Sequence, residues 1–185
     1  MIAMFQRKVA EHDGVVELCV GRLRLVAVTA AMIRAEQAGD LAEMGRLLGA
    51  RVTAEWPPQD WEPHVLRFIL KQYDEWPHTL GWHRFVVLND ALGRRTLVGA
   101  LGGFPKPSGD VEIGYSTLPE FQRRGFATAG AKALVEWLLT QDGVRSVSAQ
   151  TLRRLPESVK VMERCGLRYD GDGDEANSVR YRRVR

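Results

Sequence analysis

Glu112-Ile113-Gly114-Tyr115-Ser116-Thr117-Leu118-Pro119-Glu120-Phe121-Gln122-Arg123-Arg124-Gly125-Phe126-Ala127-Thr128 runs a strand into a short loop and the loop into a helix. Ile113 and Tyr115 alternate with Glu112 and Gly114, the period of a strand with two unlike faces. The loop reads Gln122-x-x-Gly125-x-Ala127, and the helix begins inside it. The first turn of a helix presents unpaired N–H groups and the positive end of the dipole. Gly125 lets the backbone turn sharply, Ala127 keeps bulk away from an approaching anion, and Arg123 and Arg124 add positive charge. Together they make a cradle for a pyrophosphate group. Taken alone, the loop fits an ordinary strand-to-helix turn with solvated arginines equally well. It is neither a Walker loop, since no Gly-Lys-Ser/Thr follows, nor a dinucleotide fingerprint.

Downstream, Ala127, Ala131, Leu134, Val135 and Leu138 fall on one face of a helix expected over about residues 124–140. A strand over 144–151 follows, then a helix over Pro156–Arg164 stopped by Gly166, and a closing hairpin of 167–169 with Ser178–Val184. Upstream, 82–88 and 96–104 join 111–118 as an antiparallel meander turned at Gly93 and at 106–110. Three helices precede it. Thr29 caps one closed by Gly39, Asp40 caps Leu41–Leu48, and Asp60 opens one reaching about Tyr73, with Pro63 in its first turn. Residues 15–28 read as extended. The order is β-α-α-α-β-β-β-α-β-α-β-β, an α/β domain around a mixed, mostly antiparallel seven-stranded sheet. Residues 1–20 read as an extension and lead-in to the first strand, and 21–185 as one domain.

A chain of 185 residues suits one domain, and 45% apolar with 26% charged residues is ordinary for a globular protein. No apolar run approaches the ~18 residues that span a bilayer. The first eight residues lack the apolar core and cleavage site of a signal peptide, so a cytoplasmic protein without membrane association is expected. Cys19 and Cys165 show no metal or redox spacing and read as small buried hydrophobes. His12, His64, His78 and His83 have no ligand spacing; each reads as a surface or packing histidine, and no metal is expected. The net charge of +3 permits an anionic ligand without requiring one. Arg180, Arg182, Arg183 and Arg185 read as solvated strand edges. No aromatic-and-basic RNA signature accompanies them, so nucleic acid is not an expected partner.

The loop resembles the Gln/Arg-x-x-Gly-x-Gly/Ala motif of the GNAT acetyltransferases, where it binds the coenzyme A pyrophosphate. Val111-Glu112-Ile113-Gly114-Tyr115 looks like that family's fourth strand. Ser158-Val159-Lys160-Val161-Met162-Glu163-Arg164-Cys165-Gly166-Leu167 is similar to its Ser-x-Arg-x-Leu-Glu-Lys-x-Gly-Phe helix. Gly21-Arg22-Leu23-Arg24-Leu25 resembles the start of the ribosomal-protein-alanine N-acetyltransferase-like branch. The resemblance spans about residues 22–184, with three motifs in register. It implies a three-layer fold with helices on both faces of the sheet and splayed central strands. It also implies acetyl-CoA as donor cosubstrate, with pantetheine against the backbone of Ser116, Thr117 and Leu118. The pyrophosphate would then lie on Gln122, Arg123, Arg124, Gly125, Phe126, Ala127 and Thr128. Monomer and homodimer both remain open.

Acetyl transfer to an amine by direct attack needs a neutral nucleophile, a stabilised oxyanion and a protonated leaving thiolate. A peptide α-amine (pKa ~8) needs about one pK unit of help at neutral pH, a lysine-like amine (~10.4) about three. Glu112 is the candidate base, directly or through a water; its other reading is a surface glutamate paired with an arginine. The tyrosine that many GNAT enzymes use as acid corresponds by register to Met162, and the family asparagine before Ser158 is Leu155, so a tyrosine-acid mechanism is not expected. Ser158 reads either as a hydrogen-bond partner near the coenzyme sulfur or as a helix cap. Trp56 and Trp61 read either as walls of an acceptor gorge or as core. The expected function is transfer to a primary amine, with short peptides bearing small first residues used ahead of lysine ε-amines. The alternatives are a small-molecule amine acceptor and a non-catalytic acyl-CoA-binding module.

Overall fold

Residues 9–12, 15–58, 61 and 63–185 are described by the computed structural model. Its strands are β1 (Val9–His12), β2 (Val15–Val20), β3 (Leu23–Ala27), β4 (Arg84–Asn89), β5 (Arg95–Pro105), β6 (Asp110–Thr117), β7 (Ser146–Leu152), β8 (Arg168–Asp172) and β9 (Ser178–Val184). The helices are α1 (Ala30–Gln37), α2 (Leu41–Leu48), α3 (Pro63–Glu75), α4 (Phe126–Leu138) and α5 (Pro156–Arg164). One sheet runs β1-β2-β3-β4-β5-β6-β7-β9-β8, antiparallel throughout except for the β6–β7 pair. The seven expected strands are β3 to β9. The stretch over 15–28 breaks at Gly21, whose φ of +57° suits glycine, so β2 folds back on β3 and β1 pairs with β2. Asp60 lies outside the described residues.

Local signals account for most boundaries. Thr29 Oγ1 accepts from the Met32 N–H at 3.2 Å, and Asp40 Oδ1 accepts from the Glu43 N–H at 2.9 Å. Gly166 follows α5 at φ +82°, with the Leu167 N–H bonded to the Met162 carbonyl, as a glycine C′ stop requires.

Each face of the sheet carries its own core. Under α4 and α5 lie Leu25, Val86, Val98, Leu101, Ile113 and Val147 with Leu134, Leu138 and Met162. Under α1, α2 and α3 lie Val26, Phe85, Val87, Leu97 and Ala100 with Met32, Ile33, Met44 and Ile69. The unbroken apolar run Phe85-Val86-Val87-Leu88 follows from this, since β4 is buried on both faces. Glycines set two close approaches. At Gly130 a Cβ would meet Leu101 Cδ2 at 2.9 Å, and at Gly102 it would sit 2.1 Å from His83 Nδ1. His83 is a packing histidine: its Nε2 pairs with Gln72 Oε1 at 3.0 Å, and burial pushes its pKa down to about 3. Arg84, buried beneath α4, donates to the Leu25 carbonyl at 3.0 Å and lies 4.6 Å from the Trp137 ring centroid, tying α4 to the sheet.

The parallel pair is short. β6 and β7 pair only at Asp110–Ser146, Val111–Val147 and Glu112–Ser148. Beyond that β6 stays on β5 as far as Thr117, β7 stays on β9 as far as Leu152, and a gap opens between them. Buried Asp110 stitches the vertex, accepting from Ser146 Oγ at 2.6 Å and Ser148 Oγ at 2.5 Å.

Candidate active site

On the α4–α5 side the gap widens into a cleft of about 570 Å³. Thr117, Gln122, Arg123, Gly125, Phe126, Ala127, Thr128 and Ser158 line it, whereas Ser116, Leu118, Arg124 and Glu112 do not. Strand geometry explains the division. Tyr115 and Thr117 point to the cleft face, and Leu118 is fully buried in the opposite core. The Leu118 N–H is spent on the Val98 carbonyl across β5, so by alternation the backbone of Tyr115 and Thr117 faces the gap. The backbone groups that face the gap are therefore those of Tyr115 and Thr117; of the expected Ser116–Leu118 run, Thr117 lies there, while Ser116 and Leu118 turn their backbone toward β5.

Gly125 holds the N-cap position before α4, at φ +80° and ψ 3°, with no side-chain cap bond. The N–H groups of Phe126, Ala127 and Thr128 thus open toward the cleft without an intrahelical acceptor. A Cβ built on Gly125 meets nothing within 4 Å, and Arg123 takes a left-handed φ of +58°. Gln122 folds back and donates to the Thr117 carbonyl at 3.0 Å. It braces the strand end. Arg124 lies along the rings of Phe121 and Phe126, with centroids at 5.6 and 5.0 Å.

α5 forms the facing wall. Its N-cap is Leu155, without a side-chain cap bond, so Ser158 sits inside the first turn and is not a cap. The Ser158 carbonyl accepts the Tyr115 hydroxyl at 3.1 Å, a bridge across the gap. Burial pushes the Tyr115 hydroxyl up to about 12, which keeps it protonated. Met162 is buried in the core beneath α5. Arg154, Lys160 and Arg164 also line the cleft, and the sequence reading assigned them no role. The signal was the i,i+4 spacing of Lys160 and Arg164 on one helix face.

Glu112 projects from the other side of β6, at the last residue paired with β7. Its partner is Lys106 rather than an arginine: Lys106 Nζ lies 2.5 Å from Oε2, and Gln150 Nε2 donates to the same oxygen at 2.8 Å. Gln150 Nε2 also reaches Asp174 Oδ2 at 2.7 Å, and Asp174 pairs with Arg180. Arg182 pairs with Asp170 at 2.9 Å, so these two C-terminal arginines act within their own hairpin.

Trp56 and Trp61 are 5% and 9% exposed and pack on Phe85. Both indole N–H groups donate to Glu36 Oε1, at 2.9 and 2.8 Å. Desolvation holds the Glu36 carboxyl above its ordinary range, the two indole bonds opposing it. The two tryptophans wall a pocket of about 530 Å³ among α1, α2 and α3, which shares no lining residue with the cleft between α4 and α5. Cys165 is a buried thiol pushed up to about 11, while Cys19 is only half-buried. Among the described residues no cluster of metal-ligating side chains occurs, and no helix is long and apolar enough to cross a membrane.

One cleft thus joins the splayed parallel pair to the uncapped start of α4. Residues 31–168 match the acetyltransferase (GNAT) domain family, and the chain belongs to it. It is an N-acetyltransferase, and acetyl-CoA is the donor that GNAT enzymes use. An uncharacterized N-acetyltransferase, YjdG of Bacillus subtilis, is 26% identical over 151 residues, covering 79% of this chain and 86% of that protein. Among solved structures, the ribosomal L7/L12 alpha-N-protein acetyltransferase RimL superposes with a TM-score of 0.62 at 16% identity, covering 96% of this chain and 100% of RimL. The Microcin C7 self-immunity acetyltransferase MccE, in complex with acetyl-CoA and AMP, superposes at 0.60 and 12% identity, covering 89% and 93%. At such identities the likeness is one of fold. Two enzymes with differently described roles match almost equally well, so fold does not choose the acceptor.

Proposed function

We propose that this chain transfers the acetyl group of acetyl-CoA to a primary amine by direct attack in a ternary complex, with a peptide α-amine as acceptor. The observation that carries the reading is the cleft joining the uncapped start of α4 to the opening between β6 and β7. In this reading the N–H groups of Phe126, Ala127 and Thr128 hold the pyrophosphate. Arg123 on the loop and Lys160 and Arg164 on the facing wall supply countercharge. The backbone of Tyr115 and Thr117 pairs with pantetheine, an arrangement that satisfies polar groups left over by the splay. Acetyl-CoA supplies an activated acyl carbon on a good leaving group. Glu112 takes the proton of the attacking amine, directly or through a water. Ser158 hydrogen-bonds the coenzyme sulfur, and water protonates the departing thiolate (thiol pKa ~8.5). Trp56 and Trp61 fix α1 through Glu36 and wall a pocket of their own, apart from the cleft.

The α-amine follows from energetics and from the resemblance to the N-terminal acetyltransferase branch. A group with about one pK unit to lose needs about 1.4 kcal/mol of help at pH 7, and a lysine amine about 4 kcal/mol. The site has no tyrosine at position 162 for harder proton transfers. A coenzyme A release assay tests the reading across peptides, an N-blocked lysine peptide, amino acids, spermidine and aminoglycosides. The free-N-terminus peptide should show the highest kcat/KM; a tenfold lead for spermidine or an aminoglycoside would overturn the peptide acceptor.

A further inference from the structure

We infer that the acceptor is an amine carrying an apolar group on the carbon beside its nitrogen, and that Phe68 and Phe104 read that group next to Glu112. The inference rests on the amine approaching the Glu112 face of β6.

Phe104 is the cross-strand partner of Glu112 and shares its face of the sheet. Its ring leans along β6: a Cβ built on Gly114 meets Phe104 Cε2 at 3.6 Å and nothing else within 4 Å. Gly114 is itself exposed, so a bare patch of strand lies beyond Glu112, beside the widening gap. Phe68 of α3 stands against Phe104, with ring centroids 5.4 Å apart and planes tilted by 57°, and remains 44% exposed. Behind them, the His83 ring packs edge-on to Phe104 at 4.9 Å, and Gln72 holds His83 while donating to the Gly103 carbonyl at 3.2 Å. The aromatic wall is therefore braced from inside and wet outside. Such a surface gains by being covered.

The polar side of the patch carries no surplus charge. Lys106 and Arg180 are paired with Glu112 and Asp174, two cations against two anions. A second ammonium on the acceptor would find no spare carboxylate in this group, whereas an apolar substituent finds the Phe68–Phe104 pair. An α-amine on a leucine, methionine or phenylalanine would meet both demands, its nitrogen toward Glu112 and its side chain on the rings. The preference thus shifts from small first residues to apolar ones.

The test uses the full chain with saturating acetyl-CoA and coenzyme A release as readout. Two peptides differ only in the first residue, Leu or Ser, and phenethylamine is compared with ethanolamine. The apolar member of each pair should lead by about tenfold or more in kcat/KM, the discrimination that one or two methylenes supply in an apolar site. Phe68→Ser, at a half-exposed position, should bring both ratios near unity while acetyl-CoA Kd by calorimetry stays put and the variant still melts cooperatively at a somewhat lower midpoint. Gly114→Val should raise KM for the Leu peptide, again with Kd unchanged. A wild-type ratio at or below one, ratios indifferent to Phe68→Ser, or no turnover of either pair overturns the inference. Glu112→Gln separates it from the reading beneath. If that variant keeps full kcat while Phe68→Ser still flattens the ratios, the base falls and the aromatic wall stands. If it loses kcat while the ratios ignore Phe68→Ser, the base stands and the wall falls.

Discussion

Gly125→Asp puts a carboxylate at the mouth of the helix start proposed to hold pyrophosphate. The glycine sits at φ +80°, so any L side chain there costs about 1–2 kcal/mol of backbone strain. Nothing within 4 Å obstructs the new Cβ, and no contact has to move. Against a domain stability of about 5–15 kcal/mol the variant should fold. Its thermal midpoint should drop by about 2–8 °C. The loss in binding is mostly charge. At a separation of about 5 Å and a solvent-like dielectric of about 80, one pair of unit charges repels by about 0.8 kcal/mol. The two charges of a pyrophosphate give about 1.7 kcal/mol, beyond the about 1.4 kcal/mol that makes a tenfold change in Kd. Titration calorimetry of acetyl-CoA into wild type, Gly125→Ala and Gly125→Asp measures this directly. The alanine variant shares the strain without the charge, so it should bind much more tightly than the aspartate variant. High salt should narrow the difference between them. Wild-type affinity in a folded Gly125→Asp protein would refute the phosphate role of the loop. Equal losses in both variants would assign the effect to backbone geometry and not to charge.

Glu112→Gln should lower kcat by about 10²-fold or more with acetyl-CoA Kd unchanged, and activity should partly return at high pH, where the amine deprotonates unaided; wild-type kcat at pH 7 removes Glu112 from the mechanism. Stability should fall on acidification because His83 is held neutral, with a pKa near 3 against 6.5 for an ordinary histidine. Below pH 6.5 the unfolded chain binds a proton that the folded chain refuses, so this contribution is complete above about pH 6.5 and drains away toward pH 3. Between pH 7 and pH 5 its loss is about 2 kcal/mol, readable by urea denaturation, and His83→Gln should abolish that part of the difference. A pH dependence identical in the variant would show that His83 does not carry it.

Much of the fold was legible because its signals are local. Thr29 and Asp40 announce their helices through side-chain oxygens that reach N–H groups three residues on, and Gly166 ends α5 through a conformation that glycine adopts cheaply. The hairpin at Gly21 was hidden for the opposite reason. Residues 15–28 read as one extended run, and pairing between β2 and β3 about Gly21 divides it into two short strands. Ser158 was ambiguous between cap and wall because the choice depends on where α5 begins. Leu155 takes the cap position, leaving Ser158 on the cleft beside the Tyr115 bridge.

The sequence by itself determined the element types and their order from β3 onward, the glycine-started helix and the family to which these belong. Periodicities of 2 and 3.6 residues, caps and a six-residue loop are properties of neighbouring residues, written in the order in which they act. Tertiary structure alone decided which faces those elements present and what they meet. Sheet register sets Tyr115 and Thr117 toward the cleft, turns Leu118 into the other core and pairs Phe104 with Glu112. Packing brings Trp56 and Trp61 onto one carboxylate oxygen of Glu36, Phe68 onto Phe104, and Gln150 across the opening gap to Glu112. Each contact joins residues that are far apart in the chain. No local pattern encodes them, because a one-residue slip in register would turn the same side chains to the opposite face.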